Sequence, residues 1–568
     1  MVAWWLLLTL VGLATAQSLQ PPQTFSSKNK RLDVVMVAKP TRANLTFPFA
    51  PPHAEVWQYH VCWKTSAEQM DCPQDSFAPQ GVNLKLQPGD LLKIRLVNRL
   101  ATWRTNLHFH GMAVSTDYDN STFGDYPYVI AYNSLVEPNP APVGLPLILR
   151  KDFIDYKFPI PVGHPLGLYW FHPHNHEMKH GVMNEGNEEM MNAGLSGSIT
   201  VGNLQQYVSQ LGNTPKPVLV VRTTFFNSKW QLVDMPSPWF CNHTAIPLPG
   251  YCNGTGDNLN STVYYTINSQ VYPDIVVPSR VGMVLRLVQA MASVTIKISL
   301  MDSSTNQPIP FMALTVDGVS TLSPSANNWI TEFFFMSGSR IELFIQSASK
   351  SRSAVLMGTG PSRGVSTTEY YPSVQLARVK FQSRGQGVNS KLPVVGQTNK
   401  VKDALEKPPR TDVECLNTTA LKPNHQRRIT FNALPGSDYG LAYAELDEFG
   451  VVVPGTATAV TMFDPDTITV CAKLGSTEIW ELVNPSLEDH NFHIHQTKFK
   501  MISTSRQVGT GYLFSTKAVD SIPLPALSTT VVQIPFVRSG DYMYHCHLAY
   551  HSDHGMMARI RVAEKMKD

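Results

Sequence analysis

One short segment near the carboxyl end of the chain carries three kinds of metal-binding side chain at close spacing. Its sequence is His-Cys-His-Leu-Ala-Tyr-His-Ser-Asp-His-Gly-Met. Neighbouring side chains of a β-strand alternate between its faces, so His545 and His547 point one way and Cys546 points the other way. His551 and Met556 follow at loop spacings that allow them to fold back toward Cys546. A thiolate, a thioether and imidazoles in this pattern predict a blue copper site.

Three further histidine pairs have the spacing that places two imidazoles on one face of a strand. They are His108 with His110, His172 with His174, and His493 with His495. His490 precedes the last pair at an odd spacing, so its side chain is free to turn toward Cys546. A single pair of this kind favours a structural role or a zinc site. Four pairs, one of which flanks a cysteine, favour copper.

The histidines are concentrated in two separate parts of the chain. Of 18 histidines, only His243 and His425 lie between His180 and His490. Neither core packing nor chance predicts such a division. The four pairs supply eight imidazoles, which is too many for one ion. Shared among several copper ions, they leave open positions where oxygen could bind, and Cys546 would connect this cluster to the blue copper site.

This combination of motifs resembles the three-domain multicopper oxidases, the group of laccases, ascorbate oxidases and ferroxidases. The resemblance spans nearly the whole chain after its first residues and includes all the copper motifs. It implies four copper ions: one of type 1, one of type 2 and a pair of type 3. By motif position, type 1 copper is assigned to His490, Cys546, His551 and Met556, type 2 copper to His108 and His493, and the type 3 pair to His110, His172, His174, His495, His545 and His547.

The same resemblance implies a laccase-like oxidase. Phenols, aromatic amines or similar small reductants would be oxidised one electron at a time at type 1 copper, and Cys546 would pass the electrons to a cluster that reduces O₂. An alternative is a metallo-oxidase for Fe(II) or Cu(I), which acidic residues beside His490 and His551 would favour. A third, non-enzymatic interpretation is a copper-binding or structural protein with this fold, and the complete ligand set speaks against it.

Oxygen reduction also needs protons at a buried site. Relatives in the family carry an acid shortly after the first His-x-His-Gly motif, which makes Asp119 the first candidate and Asp117 the second. The alternative is that both are solvated loop acids. Several relatives also have a glutamate directly after the last type 1 histidine. This chain has Ser552 there, followed by Asp553, so that proton route is in doubt.

The length and the repeats predict several β domains. A chain of 568 residues is too long for one ordinary core, and 42 prolines with many short β-branched runs favour β-sandwiches over helices. A related turn-and-strand phrase recurs at Pro88–Asn98, Gly282–Gln289 and Gly475–Asn484. Together with the resemblance, this predicts an all-β fold of three consecutive cupredoxin-like Greek-key β-sandwiches. The predicted domains are 25–205, 206–385 and 425–568, with a linker at 386–424.

An insertion separates the second histidine pair from the Gly-Leu-Ser-Gly sequence at 194–197. Residues 177–191 within it are rich in methionine and glutamate. Two interpretations remain open. The insertion could bind Cu(I) or guard a substrate channel. Alternatively, it is a solvated surface loop whose methionines pack against one another.

The first 16 residues have an apolar centre and an Ala-x-Ala ending. They predict a secretory signal peptide that is cut after Ala16, with a membrane anchor as the alternative. No later stretch is long and apolar enough to cross a bilayer. The sparse charge, 16% with a formal net charge of +3, gives no indication of a nucleic-acid partner. These features predict a secreted protein, and they leave its oligomeric state open.

Glycosylation and disulfides are consistent with secretion. Six Asn-x-Ser/Thr sequons begin at Asn44, Asn120, Asn242, Asn253, Asn260 and Asn417. Apart from Cys546, the cysteines form an even set, which fits disulfide bonds. Local pairing predicts Cys62–Cys72 and Cys241–Cys252 and leaves Cys415–Cys471, although other connectivities are open.

Overall fold

The computed structural model describes most of the chain, including every predicted copper ligand. The described residues are 17–41, 54–101, 103–119, 121–140, 146–175, 178–179, 182–183, 186–206, 208, 211–232, 247–254, 261–278, 281–321, 329–346, 353–360, 373–382, 414–415, 425–436, 438–506 and 518–566. The predicted signal peptide and most of the predicted linker lie outside these ranges. Among the described residues, no helix has the length and apolar character needed to span a membrane.

Three successive groups of β-strands make up the described chain, which confirms the all-β cupredoxin-like fold class. The first group has a four-stranded and a five-stranded sheet. In pairing order their strands are Val56–Trp63, Arg31–Thr41, Leu91–Asn98 and Phe153–Pro159, and then Gln23–Ser26, Val82–Leu86, Gly197–Val201, Gly167–His172 and His108–His110. Two short pairs accompany them: Val129–Tyr132 with Ile148–Lys151, and Met178–Lys179 with Val182–Met183. The helical segments are the 3₁₀ turn Gln74–Ser76 and helix α1 (Asn187–Ala193).

The second group follows the 3₁₀ turn Leu204–Gln206 and has a nine-stranded and a six-stranded sheet. The larger sheet contains Tyr251–Asn253, Thr262–Ile267, Val218–Phe226, Met283–Gln289, Arg340–Ile345, Phe311–Val316 and Val319–Ser320, with Gln270–Val271 and Trp329–Ile330 attached at its sides. The smaller sheet contains Leu248–Pro249, Val374–Phe381, Ser353–Thr359, Ile296–Asp302 and Glu332–Phe335, with Asp274–Val277 beside Val374–Phe381.

The third group has two five-stranded sheets. Their strands are Tyr439–Leu446, Gln426–Ala433, Thr477–Asn484, Ser528–Pro535 and Lys500–Thr504, and then Ile468–Lys473, Met557–Ala563, Gly540–Cys546, His490–Ile494 and Ser521–Leu524. Helix α2 (Ala549–Asp553) follows the cysteine-bearing strand. The only described part of the predicted linker, Glu414–Cys415, forms a short parallel pair with Lys565–Met566. The domain boundaries themselves stay predictions.

The repeated sequence phrase has the same structural role in each group. It forms the strands Leu91–Asn98, Met283–Gln289 and Thr477–Asn484. Each pairs in parallel with an earlier strand on one side and antiparallel with a later strand on the other side. A glycine with positive φ precedes each strand in the turn, where a side chain would strain the backbone. The repeat therefore marks three copies of one strand arrangement.

The described cysteines agree with the predicted pairing. Cys62 and Cys72 form a disulfide, which confirms the first predicted pair. Cys252 and Cys471 are also disulfide-bonded, whereas Cys546 is free and buried. The side chains of their predicted partners, Cys241 and Cys415, lie outside the described residues, so those two pairings stay predictions.

Candidate metal centre

Strand register brings the histidine pairs together within each sheet. His172 lies opposite His108 on antiparallel strands of the first group, and His493 lies opposite His545 on antiparallel strands of the third group. Since side chains on directly opposed residues share a face, each pair of strands presents its histidines to one side. All the predicted copper ligands are buried, with 3% or less of each residue exposed.

Imidazoles from the two ends of the chain meet in one cluster. Nε2 of His545 lies 3.1 Å from Nε2 of His174 and 3.3 Å from Nε2 of His495. Nδ1 of His110 lies 3.1 Å from Nε2 of His547. Nitrogen ligands about 2.0 Å from one ion lie about this far apart, so each group could share an ion. These contacts join residues more than 370 positions apart, except for the one between His495 and His545.

Two further groups of potential ligand atoms connect the remaining histidines to these contacts. Potential ligand atoms of His108, His493 and His495 lie within 4.8 Å of one another, and so do those of His108, His110 and His172. The structure thus brings together every histidine that the sequence assigned to type 2 and type 3 copper. Which ion each histidine holds stays a prediction.

The chemical state of the cluster fits a metal site. Nε2 atoms of His108, His172 and His493 are buried and have no hydrogen-bond partner among the described residues. Burial lowers the pKa of His110, His172 and His493 well below the ordinary histidine value, so their imidazoles are neutral. Burial also lowers the pKa of His545 to about 4. Neutral imidazoles with unused buried nitrogens are costly unless a cation binds them.

The second candidate site lies on the opposite face of the strand Gly540–Cys546, which carries both His545 and Cys546. Sγ of Cys546 is 3.6 Å from Nδ1 of His551 and 4.0 Å from Nδ1 of His490, and these two nitrogens are 3.0 Å apart. Burial raises the pKa of the Cys546 thiol to about 12, so a thiolate there requires a bound cation. Met556 is fully buried in the same core cluster as Cys546. This donor set fits the predicted type 1 copper.

The structure places Asp119, the predicted proton-donating acid, away from the histidine cluster. Asp119 is exposed, and its carboxylate accepts hydrogen bonds from Ser121 and Thr122 in its own loop. These hydrogen bonds hold its pKa well below the ordinary range. Among the described residues, neither Asp119 nor Asp117 hydrogen bonds to a histidine. These contacts favour the alternative interpretation, a solvated loop acid, and a role of Asp119 in proton delivery stays a prediction.

Asp125 is the carboxylate that reaches the cluster from this loop. It is 2% exposed and lies 3.1 Å from Nδ1 of His108. It also accepts hydrogen bonds from the backbone N–H of Phe109 at 3.1 Å and from Nε2 of Gln496 at 2.6 Å. Sequence analysis missed it because spacing after His110 does not show which acid in a loop turns inward. Its contact fixes the tautomer of His108 with Nε2 facing the cluster.

A second acid that the sequence did not indicate, Asp520, lies beside His110 and His493. Asp520 is fully buried, and its Oδ1 is 3.2 Å from Nε2 of His110. Its backbone carbonyl lies 2.8 Å from Nδ1 of His493. Burial alone would raise the pKa of Asp520, but the positive charges of Arg340 and Lys498 hold it well below its usual range. No histidine motif points to this residue in the sequence.

The outer edge of the candidate type 1 site is aromatic and acidic. The ring of Tyr439 stacks on His551 with centroids 4.1 Å apart, and its hydroxyl donates to Oε2 of Glu488 at 3.1 Å. The same oxygen is 3.9 Å from Nε2 of His551. The side chain of Glu488 is 25% exposed, so a carboxylate connects solvent to the type 1 histidine.

The described end of the insertion is a helix beside helix α2, which carries His551 of the candidate type 1 site. Asp553, from helix α2, accepts hydrogen bonds from the backbone N–H of Glu188 at 2.8 Å and from Nδ2 of Asn187 at 2.9 Å. Met190 and Met191 are buried in the core. Residues 187–191 are thus neither a solvated loop nor an open Cu(I) site, because they pack as helix α1. Residues 177, 180–181 and 184–185 lie outside the described part of the insertion.

Comparisons with known proteins agree with this geometry. A sequence model of the family described as multicopper oxidase matches residues 445–566. The chain is 36% identical over 104 residues to "Multicopper oxidase mco" of Staphylococcus haemolyticus, which is 18% of this chain and 23% of that protein. It is 32% identical over 116 residues to "Laccase" of Bacillus stratosphericus, which is 17% of this chain and 23% of that protein. The chain thus covers less than a quarter of the length of these relatives.

The likeness in structure extends further along the chain. The fold superimposes on "Multicopper oxidase from Campylobacter jejuni: a metallo-oxidase" with a TM-score of 0.60 and 18% identity, over 97% of this chain and 98% of that chain. At this identity, the likeness concerns the fold. The family model covers a segment that includes His490, Cys546 and Met556, the predicted ligands of type 1 copper. The carboxyl-terminal segment 445–566 thus matches the multicopper oxidase family, and the fold of the chain is that of multicopper oxidase structures.

Proposed function

We propose that this protein is a laccase-like oxidase that couples oxidation of phenols or similar small reductants to the reduction of O₂ to water. One observation carries the proposal. The thiol of Cys546 faces His490 and His551, while its neighbours His545 and His547 lie in the histidine cluster. Two metal sites are thereby joined through adjacent residues of one strand.

We further propose four copper ions, one at the Cys546 site and three in the cluster. Bound copper would supply the one-electron redox chemistry. Each ion exchanges one electron, and the reduction of O₂ to two waters consumes four electrons. Four copper ions would therefore hold the number of electrons that the reaction needs. The chain contributes neutral imidazoles in a dry site, and the carboxylate of Asp125 holds His108. Burial keeps bulk water away from the cluster.

Metal analysis together with oxygen consumption tests the proposal. Copper-loaded protein should contain about four copper ions per chain, show the visible absorption of a thiolate-bound copper, and consume O₂ with a diphenol. Fe(II) and Cu(I) are assayed in parallel under air. Oxygen consumption at background level with all three reductants would instead support a copper-binding protein without oxidase activity.

A specific observation favours metal ions as a second class of reductant. Carboxylate oxygens are preferred by hard cations, and Glu488 places one 3.9 Å from Nε2 of His551. A cation held by this carboxylate would lie within electron-transfer reach of the type 1 site. The Campylobacter relative, which shares the fold, is described as a metallo-oxidase. The second candidate is therefore an oxidase of Fe(II) or Cu(I).

Replacing Glu488 with glutamine separates the two candidates. Loss of a carboxylate–cation contact of about 1.4 kcal/mol corresponds to about a tenfold rise in KM. We expect this rise for Fe(II) if metal ions are the substrates, with little change for a neutral diphenol. Glu481→Gln is the control, because Glu481 pairs with Arg428 on a strand away from the copper ligands. Equal changes for both reductants would contradict a metal-binding role.

Replacing Asp125 with asparagine should weaken the cluster. The change removes the negative acceptor that orients His108, and loss of such a partner lowers metal affinity by roughly 10–100-fold. Copper retention against a chelator is the measurement. Asp119→Asn is the matched control in the same loop and should retain copper as the unmodified protein does. Equal retention by both variants would show that Asp125 does not support the site.

We also propose that the protein is secreted. The apolar start that ends at Ala16, the sequons and the disulfide Cys62–Cys72 support this location. Expression of the full chain in a secretory host should yield protein in the medium whose first residue is Gln17. Retention of residues 1–16 on membrane-bound protein would indicate an anchor instead.

A further inference from the structure

The middle group of strands carries none of the predicted copper ligands, yet one of its turns reaches the cluster. This turn, residues 336–340, connects the strands Glu332–Phe335 and Arg340–Ile345. Every residue in it is buried. Ser337 and Gly338 contact histidines of the cluster, and Arg340 contacts Asp520, which faces His110.

Arg340 acts on the cluster through Asp520. Its Nη1 and Nη2 donate to Oδ1 and Oδ2 of Asp520 at 2.7 and 2.6 Å, and both residues are fully buried. This two-point contact fixes the plane of the carboxylate. Lys498 also donates to Oδ2, at 2.6 Å, and Oδ1 lies 3.2 Å from Nε2 of His110. His110 must then carry its proton on Nε2 and leave Nδ1 deprotonated.

Ser337 acts directly on the other end of the cluster. The single proton of its hydroxyl is directed at the backbone carbonyls of Met291 and Ala292, whose oxygens lie 2.8 and 2.9 Å from Oγ. It therefore accepts from Nδ1 of His547, which is 3.1 Å away. His547 must carry its proton on Nδ1 and leave Nε2 deprotonated.

These two tautomers have a joint consequence. Nδ1 of His110 and Nε2 of His547 are 3.1 Å apart, and neither carries a proton. Two lone pairs at this distance repel each other unless a cation lies between them. Gly338 packs against both rings, because a Cβ there would lie 2.9 Å from Cε1 of His110 and 3.0 Å from Cδ2 of His547. The turn thus fixes ring position as well as tautomer.

We propose that the turn 336–340 is a positioning element for the copper that His110 and His547 share. Ser337 orients His547, and Arg340 orients His110 through Asp520. The role rests on the proposed function, because it assumes that the cluster holds copper. It also gives the middle group of strands, which carries none of the predicted ligands, a part in assembling a site whose predicted ligands come from the two ends of the chain.

Ser337→Ala tests the proposal against Ser339→Ala. Both serines are buried in the same turn, but the hydroxyl of Ser339 has no hydrogen-bond partner among the described residues. Ser337→Ala should lower copper affinity at the cluster by roughly 10–100-fold, as measured by copper content during chelator titration. Ser339→Ala should match the unmodified protein. The visible absorption from the Cys546 site should persist in both variants.

Arg340→Lys is the second variant. Lysine keeps the charge but loses the two-point contact with Asp520, so it should also release cluster copper early while thermal unfolding shows a folded protein. The proposal is overturned if Ser337→Ala and Arg340→Lys retain copper as tightly as Ser339→Ala does. It is also overturned if the visible absorption is lost in parallel with cluster copper, which would indicate a general loss of structure. Unmodified protein that binds copper but consumes no O₂ would overturn only the proposed function.

Discussion

Replacing Cys546 with serine should abolish the visible absorption of the type 1 site and reduce oxygen consumption to background. A serine hydroxyl is a hard, protonated donor at neutral pH and does not replace a soft thiolate as a copper ligand. The change also removes the sulfur that lies 3.6 Å from Nδ1 of His551. Electrons from a reductant would then have no entry to the cluster.

The cluster itself should survive this substitution. His545 and His547 keep their places on the strand Gly540–Cys546 and directly after it, so about three copper ions should remain in copper-loaded Cys546→Ser protein. Met543→Leu, a volume-conserving change on the same strand, is the control and should keep both absorption and activity. A blue, active serine variant would contradict the assignment of Cys546.

Replacing Arg340 with methionine should destabilise the protein without copper by about 3–5 kcal/mol. Asp520 and Asp317, both fully buried, would lose the guanidinium that neutralises them. Lys498 still contacts Asp520 at 2.6 Å, which favours the lower end of this range. Denaturant unfolding of metal-free protein is the measurement, because it separates folding stability from copper binding.

Arg428→Met is the matched control for this experiment. Arg428 also pairs with a carboxylate, that of Glu481, but the two side chains are 34% and 26% exposed. Pairs of this kind contribute at most about 1 kcal/mol, since water and salt screen them. Similar losses of unfolding free energy in both variants would show that the buried pair of Arg340 contributes no more to stability than the exposed pair of Arg428 does.

The strand-borne ligands were predictable because their geometry is local. Alternation along a strand places His493 and His495 on one face and separates Cys546 from its neighbours, whatever the rest of the chain does. The repeated strand also indicated the all-β fold, because each copy needs partners on both sides. The sequence therefore predicted the candidate ligands themselves, because the face of a strand on which a side chain lies follows from its position in the sequence.

The residues that orient those ligands were not predictable in the same way. Arg340 and Asp520 are 180 positions apart, and no periodicity connects a turn of the middle group to a strand of the last one. Spacing did not show that hydrogen bonds from Ser121 and Thr122 hold the carboxylate of Asp119 at the surface. The carboxylate of Asp125 instead points inward, where Nε2 of Gln496, from the distant end of the chain, donates a hydrogen bond to it. Such contacts exist only after the chain has folded.

The contact between His110 and His547 has a consequence for the stability of the newly made protein. They are separated by 437 positions, so an ion between them ties distant parts of the polypeptide together as a covalent crosslink would. At a free copper concentration one hundred times the dissociation constant, binding favours the native state by about 2.7 kcal/mol. Without copper, the newly made protein would then unfold and be degraded more readily. The copper supply would therefore control its abundance.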